Sequence, residues 1–192
     1  PGTHDMVAFD LAWGGKHHPS IPVYLGANTG HGKRGHHRVE RDQANKAAFL
    51  LRHFFPDRTS GALLLPPSIE YEIVDGEDVL EVIVRFPEDA GEESGRIFWM
   101  FDRAPDGSPR YLTELIPDDN FAEMHHDRRR GVWVAEIEID PKAARLDFFT
   151  NHRKKIRHQD KSYRTYISSP YTRVKLDKSL EGRAPSLPKS GK

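Results

Sequence analysis

The 192-residue chain carries 29 basic and 29 acidic side chains, so its formal net charge is zero, and only 36% of its residues are hydrophobic. It contains no cysteine, which excludes a disulfide scaffold, a thiol nucleophile and thiolate metal ligands. No apolar run approaches the roughly 20 residues that span a bilayer, so no membrane partner is expected. The zero net charge conceals an asymmetry, because residues 141–192 hold 14 basic and 4 acidic side chains, a net charge of +10.

Residues 1–58 have the pattern of an α/β unit. Residues 21–26 form a short apolar run typical of a buried strand, and the glycine-rich stretch 26–35 follows it. Residues 39–55 are predicted to be helical because apolar side chains recur there at spacings of three and four: Ala44, Ala47, Ala48, Leu51 and Phe55. A fully apolar strand needs neighbours on both sides, so we interpret this segment as the last strand and helix of a larger α/β domain. The start at Pro1, without a methionine, agrees with that interpretation.

The rest of the chain is predicted to be a β domain and a tail. Residues 59–67 are predicted to be a linker, and 177–192 a disordered basic tail. Between them, residues 68–176 have short alternating or apolar strands separated by turn signals, which is typical of an antiparallel β-sandwich. The fold class is therefore α+β overall, a partial α/β segment followed by an antiparallel β-sandwich. The predicted strands are 69–73, 80–84, 96–101, 132–139 and 146–150.

The glycine-rich stretch 26–35 admits three interpretations. Its glycines satisfy the dinucleotide-binding spacing, but charged side chains crowd the turn and no further parallel strand is predicted after the helix. It also resembles a phosphate loop ending at Gly32-Lys33, yet Arg34 stands where a hydroxyl would hold magnesium. In the third, His31 is a catalytic base, because α/β-hydrolases place that histidine in a loop between a strand and a helix.

Two short motifs flank the predicted strand and favour the third interpretation. Gly2-Thr3-His4-Asp5 precedes the strand, Asn28-Thr29-Gly30-His31 follows it, and 26 positions separate the acid from the base. Together they resemble the closing motifs of secreted-type α/β-hydrolases, including acetylxylan esterase-like, deacetylase and prolyl-oligopeptidase-type proteins. Some of these carry a small β domain after the hydrolase core. The resemblance implies a serine hydrolase that cleaves esters by acyl transfer, with Asp5 as triad acid and His31 as triad base.

The sequence departs from that family because it contains no Gly-x-Ser-x-Gly elbow for the nucleophile. We therefore expect this chain alone to be inactive and to be the C-terminal portion of the enzyme. The resemblance implies a small-molecule or carbohydrate ester as substrate, no cofactor, and a secreted or periplasmic location. Asp10 is an alternative acid, and His36 or His37 an alternative base. The alternative function is a non-catalytic β-sandwich binding or packing module.

Three other patterns in the sequence bear on possible binding sites. The tandem histidine pairs lack metal-ligand spacing, and no metal site is predicted. A basic run is interpreted as a long polar loop and as a candidate polyanion surface, although nucleic acid is not an expected partner; it contains Arg153, Lys154, Lys155 and Arg157. Aromatic residues of the β domain are predicted to pack in its core rather than to stack on sugars: Phe98, Trp99, Phe101, Trp133, Phe148 and Phe149.

Overall fold

The computed structural model describes residues 47–48, 50–51, 54–55, 67–74, 78–103, 116–158 and 161–176. These residues include nine antiparallel strands. In chain order the strands are β1 (Ser68–Ile73), β2 (Val79–Arg85), β3 (Ser94–Phe101), β4 (Phe121–Glu123), β5 (His125–Asp127), β6 (Val132–Glu138), β7 (Arg145–His158), β8 (Lys161–Ser168) and β9 (Thr172–Lys175).

The strands form two sheets that pack face to face. Sheet A has the order β1-β2-β6-β5, and sheet B has the order β4-β3-β7-β8, with β9 also paired to β7. This is the strand order of immunoglobulin-type sandwiches, in which sequential hairpins alternate between the two sheets. The predicted antiparallel β-sandwich is thus confirmed, and all five strands predicted from the sequence are present.

The core lies between the sheets because alternate residues of each strand point inward. Sheet A contributes Leu80, Val82 and Val84 from β2 with Trp133, Ala135 and Ile137 from β6. Sheet B contributes Ile97, Leu146, Phe148, Ile167 and Val174. Contact between the sheets is direct, since Tyr71 of β1 meets the edge of the Phe148 ring at a centroid distance of 5.7 Å.

One stretch of chain belongs to both sheets. β4 pairs with β3 in sheet B, and β5 pairs with β6 in sheet A, with only Met124 between them. The Met124 side chain is buried in the core, and its amide donates to the Gly95 carbonyl over 2.8 Å. Gly95 must lack a side chain here, because a Cβ atom would lie 2.9 Å from His152 Cε1 and 3.0 Å from Met124 Cβ.

β8 and β9 lie end to end along the same edge of β7. Asn151 pairs with Ser168 in one register, and Phe148 pairs with Thr172 in the other, so the edge contains one extra residue. Pro170 occupies this bulge, where its missing N–H breaks no ladder bond. Ser169 compensates for the interruption, because its hydroxyl oxygen accepts the Thr150 amide over 2.9 Å.

Residues 47–55 are described only in part. The described residues Ala47, Ala48, Leu50, Leu51 and Phe54 are helical, which agrees with the helix predicted at 39–55. The Phe55 amide donates to the Leu51 carbonyl over 2.8 Å. The other predicted features of residues 1–58, the linker and the tail at 177–192 lie outside the described residues, so the domain boundaries stay predictions.

Candidate functional surfaces of the sandwich

The residues predicted to carry catalysis cannot be placed. Asp5 and His31, and the alternatives Asp10, His36 and His37, all lie outside the described residues. Their assignment as triad acid and base stays a prediction from the sequence. The described candidate surfaces all belong to the sandwich.

The basic run at 153–157 is not the polar loop that the sequence predicted. It forms the second half of β7, and residues 151–158 pair continuously with β8. The prediction was wrong because the run lacks apolar alternation, whereas its pairing depends on the neighbouring strand. The strand geometry separates adjacent cations, since successive side chains point to opposite faces.

The outer face of the β7–β8 hairpin collects three cations, which we call the basic hairpin surface: Arg153, Lys155 and Arg164. Lys155 lies directly opposite Arg164, and Arg153 lies opposite Tyr166. Lys155 and Arg164 are exposed. Arg153 Nε lies 3.9 Å from a carboxylate oxygen of Glu93. Arg157 pairs with Ser162 farther along the same hairpin.

The inner face of the same hairpin contacts the helical residues. Ala48 is fully buried and clusters with Ile156 of β7, and Tyr163 of β8 packs against both. The helix around Ala48, which follows the predicted histidine loop in sequence, is therefore held against the sandwich. Lys154 also points to this side, and its ammonium group lies beside Gly91.

A row of aromatic rings crosses the outer face of sheet B, and we call it the aromatic row: Phe121, Phe98, Phe149 and Tyr171. Neighbouring ring centroids are 6.2, 5.4 and 6.2 Å apart along it. The Arg96 guanidinium lies over Phe121 at 4.9 Å, and that of Arg103 lies over Tyr171 at 5.6 Å. The predicted core role is thus correct for Trp133 and Phe148, with Trp99 and Phe101 packed against that core. Phe149 is also buried, at 4% exposed, but on the other face of sheet B from this cluster, and Phe98 beside it is only half-buried.

Beside the aromatic row lies a buried charged network. The Arg173 guanidinium binds both carboxylate oxygens of Asp147 over 2.6 Å. The Tyr171 hydroxyl donates to Asp147 over 2.8 Å and accepts from Arg103 over 2.7 Å. Burial raises the pKa of Tyr171 above its ordinary value, while the charge of Arg103 acts in the opposite direction. The tyrosine therefore stays protonated and serves as a donor.

His152 is a fully buried titratable group in the core. Its ring meets Phe86 and Trp133 edge-on at centroid distances of 4.8 and 5.9 Å, and Nε2 lies 3.0 Å from the Thr150 hydroxyl. Burial lowers the pKa of His152 to about 3, partly offset by the backbone of Ser94. The imidazole is therefore neutral and acts as a core side chain.

A groove of about 640 Å³ lies at one end of the sandwich, between the β2–β3 loop and the β5–β6 turn. It brings acidic and basic side chains together: Arg85, Glu88, Asp89, Glu92, Arg128, Arg129 and Arg130. The turn is ordered by Asp127, whose Oδ1 accepts the amides of Arg129 and Arg130 over 2.9 and 3.2 Å. Four arginines and three acids line this groove, so its lining has a formal charge of +1.

No group of three or more potential metal ligands occurs among the described residues. Of the histidine pairs, only His125-His126 lies within them. His125 is exposed, whereas His126 stacks on Trp133 with ring centroids 4.7 Å apart. The two rings point to opposite sides of β5, as adjacent strand residues must.

No family model, no curated protein and no solved structure matches this chain. Within the described part of the chain, no helix has the length and apolar character needed to cross a membrane.

Proposed function

We propose that this chain is the C-terminal portion of a serine hydrolase of the α/β-hydrolase type, in which the sandwich is a non-catalytic packing module. Asp5 would orient and stabilise the imidazole of His31, and His31 would deprotonate the serine and then protonate the leaving group. The sequence has no Gly-x-Ser-x-Gly motif, so the nucleophile must come from residues outside it. The substrate class is a small-molecule or carbohydrate ester.

The observation that carries the proposal is the contact between the helical residues and the hairpin. Ala48 is fully buried against Ile156 and Tyr163, so the sandwich holds the helix that follows the proposed catalytic histidine. A loop that carries a catalytic base must be kept at a fixed distance from the nucleophile, because small displacements cost large factors in rate. Anchoring the helix behind that loop is a physical role for the appended sandwich.

The remaining helical side chains support a larger α/β unit. Leu50 and Phe54, one turn apart on the same helix face, are 51% and 71% exposed, and Phe55 is 51% exposed. Three large exposed apolar side chains within six residues are unusual for a free surface. They are the pattern expected of a helix whose apolar stripe packs against further strands of an α/β domain.

The catalytic assignment is tested in a polypeptide that joins this sequence to its serine-bearing segment. We expect His31→Ala to lower kcat/KM for p-nitrophenyl acetate by on the order of 10⁶-fold, because a triad loses most of its rate with its base. Asp5→Asn should cost less, on the order of 10⁴-fold, because the acid acts only through the imidazole. His36→Ala is the matched control and should leave the rate near that of the unmodified protein. Unchanged turnover in His31→Ala would refute the assignment of the base.

The packing role is tested separately by amide hydrogen exchange in the 192-residue chain. Ile156→Ala removes the side chain beneath Ala48, so exchange in residues 47–55 should accelerate about tenfold while the strands stay protected. Phe121→Ala, on the opposite face of sheet B, is the control and should leave the helix unchanged. If Ile156→Ala leaves exchange of the helix as it was, the sandwich does not hold it.

A further inference from the structure

The outer face of the β7–β8 hairpin carries cations that no described acid neutralises, apart from the long contact between Arg153 and Glu93. We propose that the basic hairpin surface (Arg153, Lys155 and Arg164) binds a linear anionic polysaccharide. This inference is independent of the proposed catalytic residues, and it assigns a ligand class to a face on the other side of the hairpin from the helix.

Strand geometry sets these cations at regular intervals. Arg153 and Lys155 lie on one face of β7, where positions two residues apart are separated by about 6.8 Å. Arg164 stands directly across from Lys155 in the register, with Cβ atoms of such pairs about 5 Å apart. The result is a rigid patch of three positive charges on a paired hairpin, suited to a polymer that presents anionic groups repeatedly along its length.

The arrangement is unfavourable for the protein alone. Like charges placed directly opposite one another on a sheet destabilise it, and Lys155 with Arg164 is such a pair. Both side chains are exposed, and neither makes an ion pair with any residue that the structure describes. An anionic ligand bridging the two would remove that repulsion, so the pair is already positioned for one.

The nearby aromatic rings argue against single-stranded nucleic acid. Binding of single strands relies on bases stacked on free aromatic faces. Phe98 and Phe149 stack on each other at 5.4 Å, and the Arg96 guanidinium covers Phe121. Those ring faces are covered, and among the described residues of the hairpin's outer face a single ring, Tyr166 opposite Arg153, lies beside the cations, whereas a single strand needs several stacking rings. Contacts from sulfate or carboxylate groups require only the charges.

A second copy of the chain is the competing occupant. The outer face of sheet A carries three aligned glutamates, which we call the glutamate row: Glu72, Glu81 and Glu136. Docking of that row on the basic hairpin surface would join two different faces of the chain, and such a contact gives a closed oligomer only if its rotation closes. A flexible linear polysaccharide has no such requirement, so we favour it as the occupant.

The experiment measures binding of the 192-residue chain to heparin, used as a sulfated polysaccharide probe, across a salt series. The double variant Lys155→Gln/Arg164→Gln loses two contacts to anionic groups of the polymer. The plot of log affinity against log salt should therefore become less steep, its negative slope decreasing in magnitude by about 1.4 to 1.8. The matched control is Arg128→Gln/Arg129→Gln, which removes the same charge from a groove that also contains Glu88, Asp89 and Glu92. Its slope should stay close to that of the unmodified chain.

Three results would overturn the proposal. An equal loss of slope in the control would mean that heparin responds to net charge alone. Tighter binding of a thymidine oligonucleotide than of heparin at equal salt would assign the surface to nucleic acid. Low-salt self-association in sedimentation equilibrium, abolished by the hairpin variant without any change in heparin binding, would assign it to a second copy. A matched thermal midpoint for both variants shows that the fold is intact.

Discussion

The outer faces of the two sheets differ in how their charged side chains are arranged. On sheet A, the glutamate row aligns three like charges across β1, β2 and β6. On sheet B, the aromatic row lies across the middle of the outer face. Asp147 is buried beside it in a bidentate ion pair with Arg173. At the other end of sheet B, the basic hairpin surface carries the exposed cations Lys155 and Arg164.

This difference shows which charges hold the fold and which are free for other uses. An ion pair removed from water must be kept intact, because loss of one member leaves the other uncompensated. Charges on an exposed face contribute little to stability, since water and salt screen them. Within the described part of the chain, charged side chains thus form an exposed acidic row, a buried network around Asp147 and a basic hairpin.

The largest change in unfolding free energy is expected at Asp147. Asp147→Asn keeps the shape but removes the charge that neutralises Arg173, so we expect a loss of about 3 kcal/mol in unfolding free energy. Glu136→Gln makes the same chemical change on sheet A and should alter stability by less than about 0.5 kcal/mol. Urea unfolding followed by tryptophan fluorescence measures both. Equal effects of the two variants would remove the distinction between the faces.

The two sheets also differ in their histidines. His152 of sheet B has a pKa of about 3 when folded and 6.5 as its ordinary value, so the unfolded chain binds the proton first as the pH falls. The unfolding free energy is therefore unaffected by this group well above pH 6.5 and decreases as the pH falls from 6.5 towards 3. At pH 5 the loss is about 2 kcal/mol.

Urea unfolding of the wild-type chain at pH 7 and pH 5 measures that loss. His152→Leu should show a smaller difference between the two pH values, because no buried imidazole is left to exclude the proton. His125→Gln on sheet A is the control, since His125 is exposed and should leave the wild-type difference intact. A wild-type stability that is flat over this range would contradict the buried neutral imidazole.

The smallest effect is expected in the glutamate row. Glu81 stands between Glu72 and Glu136, so Glu81→Lys replaces two repulsions by two attractions and should stabilise the fold by about 0.5 kcal/mol at low salt. The gain should disappear at high salt, because the Debye length shortens. Glu70→Lys is the control, since Glu70 lies opposite Ile83 rather than a glutamate. A gain that persists in high salt would indicate a cause other than charge.

The sandwich could be predicted from the sequence where apolar residues alternate, but not where pairing depends on distant chain. In β2 and β6, the alternating apolar residues of the sequence are the ones that face the core: Leu80, Val82, Ala135 and Ile137. The second half of β7 contains mainly cations; β3 pairs with it only as far as Arg153, and beyond that residue it is a strand because it pairs with β8. The alternation of Tyr163, Thr165 and Ile167 in β8 was the signal that could have revealed the hairpin.

The surfaces were harder to predict than the core. Phe98 and Phe149 look like core residues by type, and only the register shows that they share a face with Asp147. The buried position of His152 depends on the gap left by Gly95, 57 positions earlier in the chain. Of the predicted polyanion surface, Arg153 and Lys155 belong to the basic hairpin surface and Lys154 faces the other way, while Arg164 joins them because β8 pairs with β7.

The passage of the chain through Met124 has a consequence for how the molecule folds. β4 completes an edge of sheet B and β5 an edge of sheet A, so neither sheet acquires its full set of strands before the other is in place. Their closure depends on contacts between residues far apart in sequence, which slows folding relative to locally connected proteins. We therefore expect the two sheets to form in one cooperative event limited by the search for this crossing, rather than as separately stable halves.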